Sequence, residues 1–286
     1  MRLSSRRGVT LVEFLFGITV AAILGMSLTR LLIGQTRFNE RVEAGQRARG
    51  VSRAALNAMY SELRMVDAND GVTFATDSAV QMRVPYALGI VCSVGGGQVI
   101  GAFLPVDSAM FAAPGYAGFA VRDPLDGQYV YHVANTSAPA TNSTSACTGS
   151  PANVTLMAGA RVLRVTTAAT VAATLGTPVL LYRNVRYAFN TSAAIPGRRA
   201  LWRRQLDATG TVTGSEELAA PFDSTARFRF FILNGRVPSD TLPTALADLR
   251  GLSVFLPGES EGSPRLRGAP EQANLSSSVF FLNRAD

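Results

Sequence analysis

VTLVEFLFGITVAAILGMSLT, residues 9–29, carries a single charged residue, Glu13, in 21 positions. As an α-helix rising about 1.5 Å per residue, this run spans about 30 Å, the thickness of a bilayer's hydrocarbon core. Arg2, Arg6 and Arg7 stand on its short N-terminal side, which predicts that this end stays cytoplasmic while the bulk of the chain is exported. A secretory signal would place a small-residue cleavage site after the apolar run. Residues 28–33 are instead Leu-Thr-Arg-Leu-Leu-Ile, so the apolar segment is expected to stay on the protein. Glu13 is the odd residue, because a carboxylate inside a membrane span costs about 2.5–3.5 kcal/mol on insertion scales. Either it lies close enough to the interface to reach water, or it needs a cationic partner inside an assembly.

The helical pattern continues past the apolar run. Residues 35–67 contain no proline, and Phe38, Val42, Ala48, Val51, Ala55, Met59, Leu63 and Val66 recur mostly three or four residues apart, which is one face of an amphipathic helix. Arg37, Arg41, Arg47, Arg49 and Arg53 fall largely off that stripe. They read as a solvated face, partly neutralised by Glu40 and Glu43, in preference to a nucleic-acid stripe. Asp67-Ala-Asn-Asp-Gly71 closes the helix with strong turn chemistry.

Beyond residue 71 the signal changes to strands. Val80–Val84, Ile90–Val94, Val99–Leu104, Tyr129–Val133 and Val179–Arg183 are rich in β-branched or aromatic residues, as pleated, half-buried surfaces favour. Gly95-Gly96-Gly97 reads as a hairpin turn between two of them. Val185, Tyr187 and Phe189 alternate with Arg186, Ala188 and Asn190, and Ala226, Phe228, Phe230 and Ile232 with Arg227, Arg229, Phe231 and Leu233, while Leu252–Leu256 and Val279–Leu282 look like late strands. A long helix followed by many strands argues for an α+β fold in which the helix face of residues 38–66 covers an antiparallel sheet. Residues 134–155 read as an exposed Ser/Thr-rich loop holding Cys147. Cys92, the other of the two cysteines, sits in a strand-like run. Export permits a Cys92–Cys147 disulfide, with two free thiols as the alternative.

The stretch Arg6-Arg7-Gly8-Val9-Thr10-Leu11-Val12-Glu13 resembles the class III signal of type IV pilins and type II secretion pseudopilins. The resemblance covers about the first 30 residues. It implies that a prepilin peptidase cuts between Gly8 and Val9 and methylates the new N-terminus, making Glu13 the fifth mature residue. It further implies that Glu13 neutralises the Val9 amine of an adjacent subunit in a helical filament, where a matched pair is tolerable and an unpaired buried charge is not. Val9 departs from the phenylalanine usual at that position, and Arg30 stands where family members often carry proline. Gly17, Gly25 and Gly34 remain as sites of helix loosening or of close helix–helix packing. A looser similarity, in Val185–Phe189, Ala200–Arg203 and Arg227–Phe231, is to the J-type minor pseudopilins and PilW-like minor pilins.

The expected organisation is a leader over residues 1–8, a membrane and filament-core helix half over 9–34, an amphipathic half over 35–67, and a β-rich head over 68–286. Enzyme motifs find little support. Gly258-Glu-Ser-Glu-Gly262 matches G-x-S-x-G, but that mechanism needs a strand–turn–helix and a histidine later in the chain. Pro257 and Pro264 bracket it as a loop, and the one histidine, His132, lies upstream. Asp123-Pro-Leu-Asp-Gly127 lacks the ordered spacing of a calcium loop and reads as a plain turn. No cofactor is implied.

The expected function is therefore a minor pilin or pseudopilin, a structural subunit held in the inner membrane with its head in the periplasm until it joins a pilus or pseudopilus. Its partners would be the prepilin peptidase, other pilins or pseudopilins, the inner-membrane assembly platform, and lipid before assembly. The alternative is a tip subunit that binds a ligand or DNA. The formal charge of +7 invites the DNA reading, but three of the excess arginines are the leader's topology signal. DNA is not favoured.

Overall fold

The computed structural model describes residues 10–111, 115–233, 235–262 and 269–281. It has one long N-terminal helix packed on a large antiparallel sheet, an α+β layout like that of pilins. Helix α1 runs from Leu11 to Leu63, 53 residues; at about 1.5 Å per residue it is about 80 Å long. No proline interrupts it, since the first in the chain is Pro85. The helix stops four residues before the expected end. Arg64 N–H still donates to Tyr60 O, but Met65 and Val66 donate to Glu62 O and Leu63 O in tighter i to i−3 turns. The Asp67 carboxylate then accepts Asn69 N–H at 2.8 Å, and Asp70 turns the chain at φ 58°.

The strands are β1 (Val72–Ala75), β2 (Ala79–Gly95), β3 (Gln98–Phe103), β4 (Tyr116–Arg122), β5 (Tyr129–Val133), β6 (Ala140–Thr141) and β7 (Arg161–Thr166). They continue as β8 (Pro178–Thr191), β9 (Arg199–Leu206), β10 (Val212–Phe222), β11 (Arg227–Ile232), β12 (Leu249–Glu259) and β13 (Gln272–Phe280). The spine is the pairing of β2 with β8, from Ala79↔Ala188 to Ile90↔Pro178. The sequence suggests two short strands in each; each is one long strand. In β2 the interruption is Pro85, which sits at a register shift between Pro85 and Ala87, the kind of position where a missing N–H is tolerated.

The two long strands carry two lobes. Near the helix, the second half of β8 pairs with β9, β9 with β10, and β12 lies between β11 and β13. Away from it, β2 continues into β3, β7 and β6, while the first half of β8 pairs with β4 and β4 with β5. Each lobe has its own core. The proximal one joins Met59 and Leu63 of α1 to Met82, Tyr187, Phe228 and Leu252, and the distal one gathers Val91, Phe103, Phe119 and Leu181.

Helix α1 packs on β10, β12 and β13. These strands offer an opening, because the ladder between β10 and β12 is a single pair, Phe222↔Gly258. The buried stripe is Ala44, Ala48, Ser52, Ala55, Met59 and Leu63. Phe38 and Val42, expected on this face, are 66% and 41% exposed. The helix meets the sheet through small side chains, and large ones would hold it off. Gly258 shows how close the approach is: a Cβ there would lie 2.2 Å from Ala48 O and 2.4 Å from Ser52 Oγ.

A third, small cluster surrounds the disulfide between Cys92 and Cys147, whose Cα atoms are 4.9 Å apart. Cys147 lies on a short helix, α2 (Ser145–Thr148), and is buried together with Val162. Part of residues 134–155 is therefore packed against the sheet, where composition suggests an exposed loop.

Candidate assembly and membrane interface

Thr10 caps α1. Its Oγ1 accepts Glu13 N–H at 3.3 Å, and Glu13 Oε2 accepts both Thr10 N–H and Thr10 Oγ1–H at 3.2 Å. This is a capping box, in which residues at N-cap and N3 satisfy each other's orphan donors. Glu13 also places negative charge in the first helical turn, where the helix dipole favours it. Gly8 and Val9, the expected cleavage and methylation positions, lie outside the described residues.

From Leu11 to Asn39 every residue of the helix is exposed. Large apolar side chains occupy all sides of it, from Leu11 (76% exposed) through Phe16, Ile23 and Leu28 to Leu32. A helix apolar around its whole circumference requires lipid or other protein as its surroundings. The segment is long and apolar enough to cross a membrane, and none of it is buried against the head. Its hydroxyls are already satisfied within the helix: Thr19 donates to Phe16 O (2.8 Å), Ser27 to Ile23 O (2.9 Å), Thr29 to Gly25 O (2.8 Å) and Thr36 to Leu32 O (3.0 Å). An apolar solvent demands that economy, because unmet polar groups cost several kcal/mol there. A Cβ at Gly17, Gly25 or Gly34 would meet nothing within 4 Å. Nothing among the described residues requires those glycines, and Gly17, Ala21 and Gly25 leave a shallow strip of small residues suited to close helix–helix approach.

The lower half of α1 is joined to the head by two polar links that sequence reasoning missed. Ser52 is buried; its hydroxyl donates to Leu256 O at 2.9 Å and accepts Gly258 N–H at 3.1 Å. Near the helix end, Glu62 takes a two-pronged contact from Arg203 (Nη2 to Oε1 2.6 Å, Nε to Oε2 3.2 Å) and a hydrogen bond from Tyr187 OH at 2.6 Å. Burial works against the Arg203 cation, but its bonds and attraction to Glu62 more than offset this and raise its pKa. Burial pushes Tyr187 strongly up, reinforced by the Glu62 charge, so it stays a neutral donor. Ser52 lies in register with Ala48 and Ala55, a small-residue spacing that marks a close contact. Nothing in the sequence pairs Glu62 with residue 203.

The other sequence candidates scatter. Glu43 and Arg47 form an exposed i,i+4 pair at 3.6 Å. The G-x-S-x-G match is divided: Gly258 and Glu259 belong to β12, not to a loop, and only Ser260 onward leaves the strand. Pro257 sits inside the strand opposite Asn274, and its carbonyl accepts Asp223 N–H at 3.0 Å. Ser260 Oγ donates to Gly262 O at 2.7 Å and accepts Glu271 N–H at 3.0 Å, bracing the start of the β12–β13 connection. His132 belongs to β5 and stacks on Phe119 in the other lobe, with ring centroids 5.2 Å apart. The disulfide also lies in that distal lobe, well away from Glu13. Compared with protein-family models, curated proteins and solved structures, the chain matches none.

Proposed function

We propose that this chain is a minor pilin or pseudopilin, a structural subunit that primes or caps assembly of a type IV pilus or a type II secretion pseudopilus. The observation that carries the reading is the division of one helix into two halves. One half is locked to a β-rich head, while the other is apolar on every side and has no cover from the described residues of its own chain. Lipid covers the free half before assembly, with the head in the periplasm, and neighbouring helices cover it in the filament. Prepilin peptidase removes the leader after Gly8 and methylates Val9, and the assembly platform draws the subunit out of the membrane.

Glu13 is central to this account. Its Oε2 serves the capping box and its Oε1 has no partner among the described residues, which leaves one oxygen for the Val9 amine of a neighbour. Moving an unpaired carboxylate into a bundle of apolar helices is costly, so pairing fixes register as well as affinity. The test is Glu13→Gln, which keeps size and a hydrogen-bond acceptor but removes the charge. Leader removal, read by mass spectrometry, stays intact while incorporation into sheared filaments is largely lost. Normal incorporation of the Gln variant would sink the mechanism.

A further inference from the structure

Strand β13 has one edge that no described strand covers. Among the described residues it pairs with β12 alone, from Gln272↔Glu259 to Phe280↔Gly251. Two bonds set the phase of that ladder: Ser260 N–H donates to Glu271 O and Phe281 N–H to Arg250 O, each at 2.9 Å. In an antiparallel pair, backbone groups of alternate residues point toward the partner. The odd-numbered residues of β13 therefore face β12, and the N–H and C=O groups of Gln272, Asn274, Ser276 and Ser278 face away from it. An edge of this kind is a template for another strand.

The edge is not open on all sides. Between it and the flank of α1 lies a groove of about 420 Å³, lined by Arg49, Ser52 and Arg53 on the helix and by Gln272–Leu275 on the strand. A groove between a helix and a strand edge is the setting in which extended peptides bind by β-addition. Arg49 and Arg53 are exposed, and neither has an ion-pair partner among the described residues. Glu271, the residue before the strand, is itself engaged. The helix wall of the groove is therefore basic, while at the start of the strand Gln272 Nε2 donates to the carboxylates of Asp223 and Glu259.

Spacing sharpens the match. Arg49 and Arg53 stand one helical turn apart, about 6 Å along the axis. Side chains on one face of a strand recur every two residues, about 6.7 Å. Two acids separated by one residue in an extended chain are thus in step with the two guanidinium groups.

We propose that the β13 edge takes up an extended acidic segment of another protein as an added strand. The segment's backbone pairs with Gln272, Asn274 and Ser276, and carboxylates at alternate positions reach Arg49 and Arg53. This site is on the head-bound half of α1 and does not depend on the filament reading above.

The test uses the full chain in nanodiscs of zwitterionic lipid and a fluorescein-labelled eight-residue peptide alternating Thr and Glu. Binding is read by anisotropy, and the backbone by hydrogen exchange across residues 269–281. The expected result is saturable binding with slowed exchange at Asn274 and Ser276. Replacing the peptide's Glu by Gln, or making Arg49→Gln with Arg53→Gln, weakens binding about tenfold. N-methylating the peptide's alternate amides, or Asn274→Pro, abolishes it, because the edge bonds are lost while the β12 ladder is kept. The methylated peptide carries that arm should the proline variant misfold. Binding without slowed exchange in β13, or binding indifferent to N-methylation, overturns the proposal. So does protection of β13 that grows with protein concentration in the absence of peptide, which would make a second copy the occupant.

Discussion

Glu62→Gln tests whether the join between helix and head is made by tertiary contacts or by the helix itself. An acid in the last turn has the wrong sign for the helix dipole, and α1 has no basic residue there to offset it; removing the charge relieves about 0.3–1 kcal/mol. Against this stands the contact with Arg203 and Tyr187, with the Glu62 and Arg203 side chains only 17% and 18% exposed. Hydrogen bonds to charged groups contribute about 1.5–3 kcal/mol. Gln keeps one acceptor oxygen, so the lower part of that range applies, about 2 kcal/mol. Tertiary contact outweighs dipole relief, and the variant is expected to lose about 1–2 kcal/mol, net of the dipole relief. The single tryptophan, Trp202, precedes Arg203 on β9 and donates to Thr191 O at 3.1 Å, so its fluorescence reports on this part of the sheet. Urea titration of both proteins in the same nanodiscs should give a lower midpoint for the variant at unchanged slope. An equal or higher midpoint would refute the reasoning, because the dipole term would then exceed the ion pair.

Gly258→Ala should cost about 1–3 kcal/mol by forcing α1 off β12, since the clash is partly with the Ala48 backbone, which cannot rotate away; the urea midpoint checks it. Burial lowers the His132 pKa below its ordinary 6.5, so the unfolded chain binds more protons in the window between the folded value and 6.5. Stability is then full above pH 6.5 and falls as the pH drops through that window. His132→Leu should flatten the urea midpoint between pH 7.5 and pH 5, about the span in which an ordinary histidine titrates. Replacing Cys92 and Cys147 together by Ser removes a cross-link over a sequence separation of 55. In the chain-entropy model this costs about 4 kcal/mol, and hydrogen exchange should rise first around α2 and β3.

The helix was legible because its signal is long, uninterrupted and of one period, and the α+β class followed from what came after it. Strands were legible where aromatic or β-branched residues cluster, as in β5 and β11. The first six of β13's nine residues, Gln-Ala-Asn-Leu-Ser-Ser, include neither, and form a strand only because β12 offers them a ladder. The same holds for β10, whose Val212–Glu217 is largely polar and exposed yet pairs with β9. Edge and surface strands take their conformation from a neighbour, so composition under-reports them. Pairings distant in sequence, Glu62 with Arg203 and Ser52 with Gly258, are set by the crossing of α1 over the sheet, which local patterns do not encode.

Side-chain size, more than hydrophobicity, divides α1. Hydropathy alone draws one apolar stripe through Phe38, Val42 and Ala48, yet the stripe that touches the head begins only at Ala44. Where the helix meets its own sheet, it does so through Ala44, Ala48, Ser52 and Ala55 until Met59 and Leu63 enter the core. Where no sheet is present, Leu11 to Phe38 carry bulk on every side. Small residues suit a rigid neighbour at fixed distance, because close packing leaves no room for adjustable side chains. Bulk all round suits surroundings that shape themselves to the helix, and lipid does so directly. Other helices do so where strips such as Gly17, Ala21 and Gly25 let them near. The change of size at residues 39–44 is therefore the point at which this chain stops supplying its own environment, and a bulky substitution at Ala48 should be far more damaging to the head than one at Gly25.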